Sequence, residues 1–169
     1  LSHAFNGPYA LRDKSIFLLG LYTGERISAI LSIKKSDVEC NYITYRKATR
    51  KGRTESRTIP LNQKAGEALQ AWISTLPQNS TYIFKSKKSA NPISRIQYHR
   101  ILKDAVNALQ IKGKVATHSW RKTFADKVWK GTQHDLVRTG IALGHKDINN
   151  TVKYLSFKEK DVFDLILKM

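Results

Sequence analysis

Residues 37–60, DVECNYITYRKATRKGRTESRTIP, break the pattern of the chain on either side of them. Tyr42, Ile43, Thr44 and Tyr45 are aromatic or β-branched and favour a pleated strand, as do Thr58 and Ile59. A basic turn containing Gly52 separates the two runs, so the spacing predicts a β-hairpin, with a short strand near Val38 joining it. The segments on either side read as helices. The hairpin therefore decides the fold class: mainly α, with a small antiparallel β-sheet of about three strands.

Before the hairpin, residues 1–10 form a loose lead-in with a turn at Asn6-Gly7-Pro8. Leu11 to Ile33 reads as two helices broken near Thr23-Gly24. After it, Ala65, Leu69, Trp72, Ile73 and Leu76 recur at helical spacing until Pro77 stops the helix. Tyr82-Ile83-Phe84 is a short apolar segment, and Ile101, Leu102, Ala105, Val106 and Leu109 mark another helix. Thr117 to Lys130 is the next, with Thr117 as N-cap and Gly131 just past its end. Gln133 to Leu143 follows, closed by Gly144. Asp147 caps a short helix with Ile148, Val152 and Leu155 on one face, and Val162, Phe163 and Ile166 make the segment from Lys158 to Lys168 amphipathic. No linker divides the chain, so it reads as a single domain over 1–169, with 1–10 as lead-in and 158–169 as a tail helix. Its only Met is Met169, and a start at Leu1 reads as a processed product or an excised domain.

With 41% hydrophobic residues in 169, the chain has material for a core and is not generally disordered. Cys40 is the only cysteine, which excludes an internal disulfide and a Cys-rich zinc site. No apolar run approaches the ~20 residues of a membrane span. The net charge of +17 calls for a polyanion, with nucleic acid as the leading candidate.

That charge is clustered. Arg46, Lys47, Arg50, Lys51, Arg53 and Arg57 face only Glu55 in residues 46–57. A hairpin this basic can lie along a phosphate backbone, although a solvated turn tip has the same composition. Arg95, His99, Arg100 and Lys103 share one face of a helix whose other face is apolar, and such a face can track DNA phosphates or simply meet water.

Four shorter motifs carry chemistry. In Thr117-His118-Ser119-Trp120-Arg121, His118 and Arg121 lie three apart at a helix start, where backbone N–H groups also favour an anion. A capping residue with a surface arginine reads the same way. In Thr23-Gly24-Glu25-Arg26, an arginine among Ile27, Ile30 and Leu31 is semi-buried and needs an anion. Glu25, adjacent on a helix, faces elsewhere, which leaves a bound phosphate or a structural ion pair. Leu143-Gly144-His145 ends a helix, and Tyr154 follows His145 by nine residues, off the apolar stripe.

Taken in order, these pieces resemble the catalytic domain of the tyrosine recombinase (phage integrase) family over about residues 10–169. The resemblance rests on Thr23-Gly24-Glu25-Arg26, Lys47 before the hairpin turn, His118-Ser119-Trp120-Arg121, Leu143-Gly144-His145, and Tyr154 at the family's spacing. It implies the fold of that domain and metal-free transesterification on double-stranded DNA, with no cofactor. Tyr154 would be the nucleophile, Arg26 and Arg121 the clamp on the phosphate, and Lys47 the general acid, with Lys51 the competing choice. His118 would serve as an acid or base near Tyr154, and His145 would hydrogen-bond the phosphate. Arg46, Arg50, Lys51, Arg53, Arg95, His99, Arg100 and Lys103 would contact DNA. The resemblance further implies a tetramer on recombining sites, a monomer as an isolated fragment, and a cytoplasmic, nucleoid-associated protein of bacterial or phage origin whose upstream DNA-binding domain is absent from this chain. The tail would pack in cis or on a neighbouring subunit. The sequence departs from the family at Ala29, where an acidic residue is common, and at Ser156-Phe157, where a histidine often follows the tyrosine. A type IB topoisomerase or telomere resolvase would use a similar residue set, and a non-catalytic basic DNA-binding module would explain the charge alone.

Overall fold

The computed structural model describes residues 1–49, 55–87, 89–113, 115–145, 147–155 and 167. They fall into two compact units, 1–121 and 122–169. The first holds α1 (Ala10–Thr23), α2 (Ile27–Leu31), β1 (Val38–Glu39), β2 (Tyr42–Tyr45), β3 (Arg57–Pro60), α3 (Gln63–Ile73) and α4 (Arg95–Ala108). α5 (Thr117–Gly131) begins in the first unit and ends in the second, which also holds α6 (Leu136–Leu143) and α7 (Asn149–Leu155).

The sheet has the order β1-β2-β3 and is antiparallel throughout. Ile43 pairs with Ile59 and Tyr45 with Arg57. Side chains two apart share a face of a strand, so these four point the same way, into the protein. Ile43, Tyr45 and Ile59 are buried there and Arg57 is half-buried. On the opposite face, the Thr44 and Thr58 hydroxyls lie 2.9 Å apart.

α1 and α3 form the main helical layer of the first unit. α3 starts at Asn62, whose side chain accepts from the Ala65 N–H at 2.9 Å, a cap worth about 1 kcal/mol. Ala65, Leu69 and Trp72 are its buried stripe, and the Trp72 indole donates to the Ile83 carbonyl at 2.9 Å. The helix ends at Ile73, short of Pro77, so Leu76 lies beyond it. Ile83 and Phe84 are fully buried. On α4, Tyr98, Leu102, Ala105 and Val106 face the core.

One buried charge pair was not marked in the sequence. Arg12 donates to Asp13 at 2.8 Å within α1, with both residues buried. Burial pushes the Asp13 carboxyl above its ordinary 3.8, against the opposing hydrogen bond and charge of Arg12. The Tyr98 hydroxyl donates to the Asp13 carbonyl at 3.1 Å, and burial, aided by the Asp13 charge, raises that phenol well above its ordinary 10.0.

α5 starts at Thr117 itself rather than after it, and the Ser119 hydroxyl accepts from the Ala116 N–H at 3.0 Å. In the second unit, α6 starts three residues later than its periodicity suggests. Gln133 and His134 have positive φ (54° and 67°), and the Asp135 side chain caps the helix through the Arg138 N–H at 2.8 Å. Asp147 accepts from the Asn149 N–H at 2.9 Å ahead of α7, as expected of a cap. Ile148 and Val152 are exposed, however, and it is Thr151 that is fully buried. Residues 158–166, 168 and 169 of the tail lie outside the described residues. Among the described residues, no helix is long and apolar enough to cross a membrane.

Candidate active site

In the first unit, Arg26 and the contact made by Arg121 lie at the corner between α1 and α2. Gly24 takes the left-handed conformation (φ 64°) and ends α1, its N–H reaching back to the Gly20 carbonyl at 3.1 Å. A residue with a Cβ is strained at that φ. The turn takes residues 24–26 out of helical geometry, so Glu25 does not project from a helix as its sequence position suggested. It turns inward and is 2% exposed. Arg26 has extended backbone and caps α2, its carbonyl accepting from the Ala29 and Ile30 N–H groups at 3.0 and 3.1 Å. Its side chain is half-buried.

Two elements grip this corner. Near the start of α5, Arg121 donates through Nη1 to the Gly24 carbonyl, and the Trp120 indole donates to the Glu25 carbonyl at 3.3 Å. Arg121 is 1% exposed, so it is no surface arginine. From the sheet, the Tyr45 hydroxyl lies 3.2 Å from Thr23 Oγ1, and Arg57 Nη1 lies 3.5 Å from Glu25 Oε1. His118, one turn before Arg121, is exposed. Lys47 lies in a 3-10 turn two residues past the end of β2, with its side chain exposed and its N–H donating to Ser56 Oγ at 3.2 Å.

The second unit pairs the remaining two residues. Gly144 (φ 61°) ends α6, and the next residue, His145, donates its N–H to the Gly140 carbonyl at 2.9 Å. His145 Nδ1 lies 2.9 Å from the Thr151 hydroxyl on α7. The ring of Tyr154, one turn after Thr151, lies 5.3 Å from that of His145, tilted by 40°. Thr151 therefore fixes the imidazole, and α7 carries both the hydroxyl that holds it and the phenol beside it.

The residues marked for DNA divide three ways. Arg95, His99, Arg100 and Lys103 are all exposed on α4. Arg46 is also tied into the fold: its half-buried guanidinium pairs with Asp37 at 3.0 Å and donates to the Ser32 carbonyl at 2.7 Å. Arg50, Lys51 and Arg53 lie outside the described residues. No group of three His, Cys, Asp or Glu that could hold a metal is found among the described residues.

Sequence reasoning passed over Tyr45, Trp120 and Thr151 as site residues, turned Glu25 the wrong way, and counted Arg57 only as charge. Arg57 carried a usable signal. Ile59 faces the core, so a cation two residues away faces it too and needs an anion. Thr151 carried none.

Compared with known proteins, the chain matches the profile of the Phage integrase family over residues 1–160. The chain belongs to the phage integrase family. It is 30% identical over 148 residues to the probable integrase/recombinase YoeC of Bacillus subtilis, covering 88% of this chain and 79% of YoeC. It is 33% identical over 166 residues to the type 1 fimbriae regulatory protein FimB of Escherichia coli K12, covering 91% and 78%. A tyrosine recombinase of Thermosipho africanus is 29% identical over 168 residues, and there the chain spans 98% of itself but only 57% of its relative. In fold it is similar to the crystal structure of XerA recombinase, with a TM-score of 0.79 and 21% identity over 99% of this chain and 60% of that one. A lambda integrase dimer bound to a core site gives 0.71 and 20%, over 90% and 54%. The mainly helical fold with its small sheet is thus that of a tyrosine recombinase catalytic domain. The match to this family favours recombination over the topoisomerase and non-catalytic readings.

Proposed function

We propose that this chain is the catalytic part of a site-specific DNA recombinase that cleaves and rejoins strands through a 3′-phosphotyrosine, without metal or cofactor. The observation that supports this most is that Arg121 is held on the Gly24 carbonyl, two residues before Arg26, so both arginines belong to one corner of the fold. Guanidinium forks match phosphate oxygens in pairs and stay charged, which suits them to the charge that builds on a phosphorane. Losing one such donor costs about 3 kcal/mol of transition-state stabilisation.

On this reading the Tyr154 hydroxyl attacks a phosphodiester. A tyrosyl O–P bond forms as the bond from phosphorus to the 5′ oxygen breaks, and Lys47 gives that oxygen its proton. His145, oriented through Nδ1 by Thr151, offers Nε2 to the phosphate. His118 serves as the acid or base for the phenol proton. A second strand's 5′-hydroxyl reverses the sequence and reseals the backbone, since the covalent link conserves the bond energy. Arg95, His99, Arg100 and Lys103, with Arg50, Lys51 and Arg53 of the hairpin turn, position double-stranded DNA. Four copies act on two paired duplexes in the cytoplasm.

The test uses a pool of nicked duplexes of randomised central sequence, which trap a covalent adduct because the short cleaved end diffuses away. The protein is expected to give an adduct on a denaturing gel, and Tyr154→Phe none. An adduct with Tyr154→Phe, or none with the unaltered protein, overturns the reading.

A further inference from the structure

Lys47 lies beyond the last ladder pair of β2, so the sheet's own hydrogen bonds do not fix it. Its N–H donates to Ser56 Oγ, and Ser56 precedes Arg57. Arg57 stands opposite Tyr45 in the ladder, and both reach the α1–α2 corner: Tyr45 to Thr23 at 3.2 Å, Arg57 to Glu25 at 3.5 Å. The turn end of the hairpin is therefore held at two points, one from each strand, to the corner that carries Arg26. One of these points is an ion pair whose carboxylate is almost wholly buried. Burying a carboxylate costs several kcal/mol unless it is paired, so packing alone does not call for it. What the pair adds over an apolar contact is direction: it holds Arg57, and with it the Ser56–Lys47 contact, at one place relative to Arg26.

We propose that Glu25 and Arg57 are positioning residues that set Lys47, through Ser56, for proton delivery to the leaving 5′ oxygen. The proposal rests on the reading above of Lys47 as general acid. Neither residue touches the reacting atoms. Cleavage transfers a proton from Lys47 Nζ to the 5′ oxygen as the P–O bond breaks. With sulfur in place of that oxygen, a thiolate leaves without needing the proton.

The experiment compares cleavage of one duplex, selected from the nicked pool, made with oxygen or with sulfur at the 5′ bridging position. Each variant is assayed on both substrates from a single preparation, so the ratio of rates is independent of the folded fraction. Lys47→Ala is expected to be slow on oxygen and near normal on sulfur. Glu25→Gln and Arg57→Met are expected to lose about tenfold or more on oxygen and to recover on sulfur, because a small displacement of a reacting group is enough for such a loss. Arg57→Lys, which keeps the charge, should sit between them and the unaltered protein. If Lys47→Ala is rescued by sulfur and Glu25→Gln is equally impaired on both substrates or unimpaired, the positioning role is wrong. If Lys47→Ala is equally slow on both, the general-acid reading falls and takes this proposal with it.

Discussion

The indole of Trp120 occupies the space that a side chain at Gly20 would need: a Cβ there would stand 2.5 Å from Trp120 Cε2. The close approach lets Trp120 sink between Phe17 and Tyr98, with ring centroids 6.5 and 6.0 Å away. It also brings the next residue, Arg121, to the Gly24 carbonyl. Gly20→Ala should therefore act at two levels. Overpacking should cost about 1–3 kcal/mol, read as a lower thermal midpoint. Displacement of Trp120 should carry Arg121 with it, so adduct formation by the folded fraction should fall as well. A variant with a lower midpoint and an unchanged rate would show that the indole and the arginine move independently.

Thr151 holds His145 by one hydrogen bond. Thr151→Val keeps the shape and removes the hydroxyl, leaving the imidazole without that orienting contact. Such a bond contributes about 1 kcal/mol, so adduct formation should slow by roughly fivefold to tenfold. Thr151→Ser restores the hydroxyl and should recover most of the rate. Recovery with Ser and not with Val, in single-turnover assays, separates the hydrogen bond from the packing of the methyl group.

These two contacts differ in how far the sequence could reveal them. The hairpin and its short partner strand were legible because a strand's period of two and its turn residues are local properties. The α3 stripe was legible for the same reason at helical period. Glu25 was misread because its orientation depends on the left-handed turn at Gly24, which lifts residues 24–26 out of the helix. The start of α6 was misread because the chain leaves α5 through positive φ at Gln133 and His134, with the His134 N–H returning to the Trp129 carbonyl at 2.8 Å. Ile148 and Val152 suggested the buried face of α7, yet the fold buries Thr151, whose hydroxyl has work to do on His145. The chemistry-bearing residues were visible as motifs, while the groups that hold them were not: Arg121 and Trp120 reach Gly24 and Glu25 across distant segments, and the nearby Thr151 reaches His145 only because of the way α7 turns its faces.

The Arg12–Asp13 pair gives a stability signature in pH. Burial raises the Asp13 carboxyl, so between its ordinary 3.8 and the raised value the folded chain holds a proton that the unfolded chain has released. Folding takes up that proton, and this group's contribution to stability falls as pH rises through the raised value. Replacing Asp13 alone with Leu strands a buried guanidinium and should cost about 3–5 kcal/mol. Replacing both residues, Arg12→Met with Asp13→Leu, removes the buried charges together. Its stability relative to the unaltered protein should improve from pH 4 towards neutrality, as read by denaturant unfolding across that range. A difference that stays flat with pH would mean the carboxyl titrates alike in both states.

The exposed cations of α4 and the paired cation of Arg46 make opposite predictions about salt. A side chain that neutralises a phosphate releases a counterion and adds about 0.9 to the slope of log affinity against log salt on B-DNA. Arg95→Gln, Arg100→Gln and Lys103→Gln should each lower that slope by about this amount if they lie on the duplex, with little change in thermal midpoint because all three side chains are exposed. Arg46 is held by Asp37 and the Ser32 carbonyl, so its charge is already compensated within the protein. Arg46→Gln should leave the slope unchanged and lower the midpoint. Binding isotherms from low to moderate salt, with each variant's melting curve, distinguish the two kinds of arginine. A steep loss of slope on changing Arg46 would mean that the ion pair opens on DNA and that its charge passes to the phosphate.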